Sequence, residues 1–312
     1  MHNIRYLRVI VTNSCNLNCF FCHREGNTGL DFNNQLDIET LIEDIHVLVN
    51  CGIKKIKLMG GEPTLCNQLG KLIKVIKDMN TDLDVSMVTN AVVNRESINE
   101  YIEAGIDRIN VSLHGFDYNI FNNITKGKMH QFLTVIDNIL YMKKCGILGK
   151  INYVLLKGIN EDEFLKVLSF VQENDIVVDV LNYLGDDDEK ITSYFYSFKE
   201  IEHMIKKSYT VNERYVYENP SSLNSIRLSL MGGGTVNLKV NQLREYSFLK
   251  ACQKCEKSEY CKEGIAAIRL TNFGIIKPCI FRDDLYFDMN EIDSTLSLND
   301  KTKIVNGFLE SL

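Results

Sequence analysis

The chain has 312 residues, is 45% hydrophobic and 24% charged, and carries a formal net charge of −6 with a pI near 5.6, the profile of a globular protein with a sizeable core. That balance gives no basic field with which to gather duplex nucleic acid. No run approaches the roughly 18 to 20 apolar residues of a membrane span, and the opening MHNIRYLRVIVTN lacks the apolar core and small-residue cleavage site of a secretory signal, so the expected setting is cytoplasmic with no membrane partner.

In chain order, short β-branched runs alternate with longer amphipathic segments: RYLRVIVT, DIETLIEDIHVLVNCG, KKIKLMG, LGKLIKVIKDMN, DVSMVTN, ESINEYIEAG, RINVSL, FLTVIDNILYMKKCG, KINYVLL, DEFLKVLSFVQEN and IVVDVLNYL. Six strand–helix alternations of this kind predict an α/β fold, a partial (β/α)6 barrel of the TIM type over residues 1–185. Chemistry in such a barrel gathers on loops leaving the C-terminal ends of the strands. The cysteine loop, GGEP, TN, SLHG and LKGIN follow successive strands in that way. Near residue 185 the rhythm changes, and residues 186–247 are expected to form a small α+β extension: a helix over FKEIEHMIKK, then RYVYE, SIRLSLM and TVNLKV as strands. Gly232, Gly233 and Gly234 lack the spacing of a phosphate loop and predict a hairpin turn. Residues 248–312 carry KACQKCEKSEYCKEG, a strand pair in AIRLTNFGIIKPCIF and a terminal segment DKTKIVNGFLESL.

Ten cysteines without a secretory signal point to metal or redox use rather than to disulfides. Cys15, Cys19 and Cys22 gather near one end, and Cys252, Cys255, Cys261 and Cys279 near the other, which implies two metal sites. Cys51 and Cys145 each end a helical pattern beside a glycine and are expected to be small buried thiols. The C-x3-C-x2-C spacing lets three thiolates converge on one iron–sulfur cluster while one iron keeps no protein ligand. A zinc ion with His23 as fourth ligand is the rival for that loop. Gly-Gly-Glu-Pro alone is a plausible turn, and Thr89 and Ser112 alone could be strand-end hydroxyls.

Taken together, the cysteine loop after the first strand, GGEP after the second, TN after the third and Ser112 at the end of the fourth resemble the radical S-adenosylmethionine (SAM) enzymes. The resemblance implies that Cys15, Cys19 and Cys22 hold a [4Fe-4S] cluster whose open iron chelates SAM. It implies that Phe21 packs beside the adenine. Gly60, Gly61, Glu62 and Pro63 form the loop whose backbone and carboxylate meet the methionyl amino group, and Thr89, Asn90 and Ser112 are further SAM contacts. An external electron donor such as flavodoxin or ferredoxin is implied as well.

Longer segments, IRYLRVIVTNSCNLNCFFCHREG, KIKLMGGEPTL, RINVSLHGFDYNIFNNITKG, KINYVLLKGINEDE and IRLTNFGIIKPCIF, resemble the GTP 3′,8-cyclase subfamily of molybdenum-cofactor biosynthesis. On that resemblance Arg8, Lys157 and Arg269 contact a nucleotide substrate. Cations at a barrel mouth also suit a phosphate on first principles.

The chain departs from the subfamily at three points. Cys66 and Ala267 stand where its pattern has arginines, and the chain ends Glu310, Ser311, Leu312 rather than in Gly-Gly. The second cysteine group is spaced C-x2-C-x5-C with Cys279 after a further seventeen intervening residues, a pattern similar to the twitch and SPASM auxiliary-cluster domains of peptide-modifying radical SAM enzymes. An auxiliary [4Fe-4S] cluster is the expectation there, with structural zinc as the rival. A nucleotide of the GTP type is the expected substrate, a peptide or small metabolite the alternative, and a non-enzymatic zinc protein the remote one. No side chain is singled out as catalytic.

Overall fold

The computed structural model describes residues 4–22, 37–183, 193–217, 225–239, 250–253, 255, 267–279 and 282–312. Six parallel strands, β1 (Tyr6–Ile10), β2 (Lys55–Met59), β3 (Asp84–Thr89), β4 (Arg108–Ser112), β5 (Leu148–Val154) and β6 (Val177–Leu181), lie side by side in sequence order. Between them run α1 (Ile38–Asn50), α2 (Leu69–Met79), α3 (Arg95–Glu103), α4 (Tyr118–Thr125), α5 (Met129–Lys144) and α6 (Glu161–Glu173). This is the expected partial barrel. The helix α4 and a 3-10 turn at Pro63–Leu65 are additions that the sequence pattern did not suggest.

Local chemistry sets the helix starts. Asp37 accepts a hydrogen bond from the amide of Thr40 at 2.8 Å to open α1, and Asn94 does the same for Ser97 in α3. On α1, Leu41, Ile45 and Leu48 repeat at four and three residues and are all buried, so one stripe of the helix faces the sheet. Burying each such side chain stabilises the fold by about 1.5–3 kcal/mol.

The strands after β6 join the same sheet from its two ends. On one side β9 (Thr235–Lys239) pairs parallel with β6, and β8 (Ser225–Leu230) and β7 (Val211–Tyr217) follow antiparallel, after helix α7 (Phe198–Ser208). On the other, β10 (Ile268–Leu270) pairs parallel with β1, followed antiparallel by β11 (Ile275–Lys277) and β12 (Phe287–Asp288). The short α8 (Lys250–Gln253) precedes β10, and α9 (Leu298–Ser311) ends the chain against α1. The triple glycine does form a hairpin turn between β8 and β9. A Cβ at Gly233 would stand 2.8 Å from the Gln172 carbonyl oxygen and one at Gly234 2.7 Å from that of Val171, at φ of 126° and 79°.

Each strand alternates. Leu7, Val9, Ile56, Leu58, Val85, Met87, Ile109, Val111, Ile151, Tyr153, Val178 and Val180 belong to one core packed against the helices. Their neighbours in sequence point to the barrel interior, and many of those are polar. Cys51 is buried as expected, with its thiol pushed up to about 11 by burial. Cys145 is exposed, which corrects the expectation: it caps α5 beyond Met142, the last residue of that helix's buried stripe. No helix among the described residues is long and apolar enough to cross a membrane.

Candidate active site

The cysteine loop leaves β1 at the C-terminal end of the sheet and is tied down on three sides. The amides of Gly61 and Glu62 donate to the carbonyls of Thr12 (2.8 Å) and Ser14 (2.7 Å). Only glycine permits that approach, because a Cβ at Gly60 would fall 2.2 Å from the Thr12 oxygen and one at Gly61 2.3 Å from that of Ser14. Asn16 then bridges to the loop after β3, accepting from Asn90 Nδ2 at 2.7 Å and donating to the Val92 carbonyl at 3.1 Å. Asn18 and Phe20 donate their amides to Thr125 and Ile124 at the end of α4, at 2.9 and 3.1 Å.

Glu62 knits this end of the barrel. It is 1% exposed. Its Oε1 accepts from the Thr89 hydroxyl (2.6 Å), the Thr64 hydroxyl (2.8 Å) and the Thr64 amide (3.1 Å), and its Oε2 accepts from the Asn90 amide (2.7 Å). Burial pushes its pKa up, and these hydrogen bonds pull against it. The carboxylate is therefore engaged within the protein, fixing GGEP against Thr89 and Asn90. Asn90 Nδ2 also reaches within 4.0 Å of Cys15 Sγ.

Cys15 and Cys22 are exposed and Cys19 is half-buried, in a turn closed by the Cys22 amide on the Cys19 carbonyl at 3.1 Å. Burial, and then the neighbouring Cys22 and Cys15 thiolates, push the Cys19 thiol up to about 12, and burial raises Cys15 as well. Three free thiols on one loop, with Cys15 and Cys19 held in the thiol form by burial unless a cation stabilises the thiolate, are a fitting donor set for an iron–sulfur cluster. Among the described residues no three His, Cys, Asp or Glu side chains converge on a single metal ion, and His23, the rival zinc ligand, lies outside them.

Phe21 meets His114 edge to face, with ring centroids 4.8 Å apart at 89°. Burial pushes His114 down to about 4, so it is neutral, and its Nδ1 accepts the Val154 amide at 3.2 Å. Ser112 ends β4, half-buried and in register with Asn152.

Two of the three expected substrate cations come together. Arg8 of β1 stands opposite Arg269 of β10, and the same register continues to Lys57 on β2 and to Lys277 on β11. Arg269 is 5% exposed. Lys157 is elsewhere: exposed on the loop after β5, with its Nζ 5.3 Å from the centroid of Tyr196. The sequence reading passed over Asn16 and Lys57. For Lys57 a signal existed, because in KIKLM the lysines alternate with the core residues Ile56 and Leu58 and so must face inward.

Of the second cysteine group, Cys261 lies outside the described residues. Cys252 and Cys255 share a turn, the Cys255 amide donating to the Cys252 carbonyl at 3.2 Å. Arg282, three residues after Cys279, reaches the Ala251 carbonyl at 3.4 Å, and its pKa is raised by pairing with Asp284 and then by the Cys255 thiolate.

A parallel partial barrel with a three-cysteine loop braced by a Gly-Gly-Glu-Pro turn defines an enzyme of SAM-dependent iron–sulfur chemistry. The radical SAM superfamily profile matches residues 9–171, and the chain belongs to that superfamily. A probable GTP 3′,8-cyclase of Methanococcus aeolicus is 30% identical over 93% of this chain and 90% of its own length. A GTP 3′,8-cyclase of Sulfurovum sp. is 29% identical over 90% of this chain and 81% of its own. The fold is also similar to that of Streptococcus suis SuiB bound to S-adenosylmethionine, with a TM-score of 0.64 at 16% identity, over 99% of this chain and 69% of that one.

Proposed function

We propose that the chain generates a 5′-deoxyadenosyl radical from SAM and uses it to take a hydrogen atom from a nucleotide of the GTP type. The carrying observation is the row of inward cations Arg269, Arg8 and Lys57 on three adjacent strands, below loops that match the SAM-binding positions. The naming of its relatives as GTP 3′,8-cyclases supports the same substrate.

A [4Fe-4S] cluster held by Cys15, Cys19 and Cys22 would supply the electron that splits SAM into methionine and the radical. The chain's own residues do the rest. Glu62 fixes the loop Gly60–Pro63 against Thr89 and Asn90, so that SAM meets a preformed surface. Phe21, propped by neutral His114, gives the adenine a rigid apolar edge, and Ser112 offers a hydroxyl from β4. Arg8 and Arg269 grip the phosphates by charge-assisted hydrogen bonds of about 1.5–3 kcal/mol each. Lys157 joins them from the rim. A second cluster on Cys252, Cys255, Cys261 and Cys279, with reductant arriving from a flavodoxin or ferredoxin, completes the proposal.

Anaerobically reconstituted protein with dithionite and SAM should release 5′-deoxyadenosine, and the triple Cys→Ala variant at 15, 19 and 22 should release none while retaining iron at the second site. Calorimetric titration should show GTP binding that Arg269→Ala weakens at least tenfold. The altered spacing of the second cysteines and the loss of arginines at Cys66 and Ala267 favour a peptide or small metabolite instead, and absence of binding at millimolar GTP would select that reading.

A further inference from the structure

The loop after β3 carries a strained residue beside the cysteine loop. Ala91 is 0% exposed and sits at φ 59°, in the left-handed region that L side chains rarely adopt. Among the described residues only Lys126 and Asp175 share a positive φ without being glycine. Both are exposed and stand at or just past the end of a helix, α4 and α6, where a left-handed residue is an ordinary way to stop the helix. Ala91 ends no helix and is buried. Strain of that kind persists only where the surroundings over-determine it, and it gathers at functional sites.

The group that holds it is Asn138 of α5. This amide lies in the stripe of buried residues Val135, Ile139 and Met142 and is itself 1% exposed. Its Nδ2 donates to the Ala91 carbonyl at 2.9 Å and to the Val93 carbonyl at 2.8 Å, so one side chain clamps the backbone on both sides of Val92. From the other end the Ala91 amide donates to the Thr89 hydroxyl at 2.9 Å, and that hydroxyl donates in turn to Glu62. The consequence of the turn falls on Asn90. The Val92 amide donates to Asn90 Oδ1 at 2.9 Å, while Nδ2 of the same side chain reaches Asn16 Oδ1 at 2.7 Å and comes within 4.0 Å of Cys15 Sγ. A right-handed Ala91 would undo this arrangement, because its dihedrals set where the Val92 amide stands relative to Asn90.

We propose that Asn138 is a positioning residue for SAM binding: by clamping the carbonyls of Ala91 and Val93 it keeps Ala91 left-handed and so fixes Asn90 against the cysteine loop. This rests on the reading that puts Asn90 at the SAM site, and extends that site to a residue of the helix layer. A merely structural Asn138, one that satisfies two carbonyls and packs α5, makes a different prediction. Glycine takes the left-handed conformation with no Cβ penalty. With glycine at position 91 the turn no longer needs its clamp, so SAM binding survives the loss of Asn138 even though the two carbonyls still lose their donor.

The test uses full-length, anaerobically reconstituted protein with iron content matched between variants, SAM as the probe in equilibrium titrations, and thermal melts alongside. Asn138→Leu keeps the bulk of the side chain and removes the donor. It should weaken SAM roughly tenfold and lower the melting temperature. Adding Ala91→Gly should bring SAM affinity back to within about threefold of wild type, while the melting temperature stays below wild type. The gain from Ala91→Gly should be several-fold larger in the Asn138→Leu background than in the wild type. Wild-type SAM affinity in Asn138→Leu, or an equal gain from Ala91→Gly in both backgrounds, overturns the inference. If Asn138→Leu does not fold, the double variant decides: affinity within about threefold of wild type supports the clamp, and weaker binding or failure to fold overturns it. Asn90→Ala separates the two readings. If it binds SAM as wild type does, the placing of Asn90 at the SAM site falls and the inference with it; if it weakens SAM but the glycine rescue fails, the inference alone falls.

Discussion

The two halves of the inner wall differ in the charge of their polar residues. From β5 to β7 the register runs Asn152, Asp179, Asn237, Arg227, Tyr215. Most of that row is spent on itself. Asn237 Nδ2 donates to Asp179 Oδ1 at 2.7 Å, Lys150 pairs with the other oxygen, Arg227 Nε donates to Asn237 Oδ1 at 2.9 Å, and Arg227 Nη1 to the Tyr215 hydroxyl at 3.2 Å. From β11 to β2 the register runs Lys277, Arg269, Arg8, Lys57. Like charges directly opposite one another in a sheet destabilise it. The first half is a polar network closed on itself, and the second is a row of like charges at whose edge Lys277 pairs with Asp283 at 2.7 Å, the row that the proposed reading gives to an anionic ligand. A polar residue on the inner wall is thus a binding candidate only after its partners within the protein are known.

The largest effect expected from this contrast is at Asp179. Asp179→Ala strands Lys150 and Asn237 and should cost about 3–5 kcal/mol in a denaturant titration, with GTP affinity of the folded protein retained. A variant that melts as wild type but binds GTP poorly would invert the assignment of the two halves. Next comes the acid limb. His114, at the top of the networked half, binds a proton in the unfolded chain below its ordinary value of 6.5 but in the fold only below about 4. Between those pH values the unfolded chain binds more protons, so stability should fall as pH drops from 6.5 to 4, by roughly 2–3 kcal/mol. Urea melts at pH 7 and 5 check it, and His114→Gln should show a smaller loss.

On the charged half, Arg8→Gln should change stability by no more than about 1 kcal/mol, since it also removes a like-charge neighbour, yet weaken GTP tenfold or more. A large loss of stability with unchanged affinity would make Arg8 a structural residue after all. The smallest effect is reserved for Lys157. Exposed and screened by solvent, Lys157→Ala should weaken GTP only about twofold.

Much of this was legible in the sequence because it is local. Alternating strands and helices, the glycine hairpin, and the order of cysteine loop, GGEP, TN and Ser112 all follow from patterns within a few residues. The neighbours of the sheet ends were not legible. That β9 lies against β6 and β10 against β1 depends on pairings across long stretches of chain, and the strands involved are short. The site shows the same division. Glu62 was visible as a site residue, but its four internal hydrogen bonds come from Thr64, Thr89 and Asn90 and required the fold. Arg8 and Arg269 were expected to converge and do. Lys157 was expected with them, yet the loop after β5 carries it to the surface beside Tyr196. Cys145 followed a helical stripe that ends one turn too early to bury it.

The parallel pairing of Leu7 with Ile268 and of Arg8 with Arg269 joins residues separated by nearly the whole chain. Closing so long a loop is slow, and a strand made early waits for a partner made late. During synthesis β1 to β6 can assemble, with the cysteine loop already braced on GGEP and α4, while the outer edge of β1 is bare. That edge is open to wrong partners until β10 arrives. The fold therefore sets an order of assembly in which Arg269 takes its place beside Arg8 only after the rest of the barrel has formed.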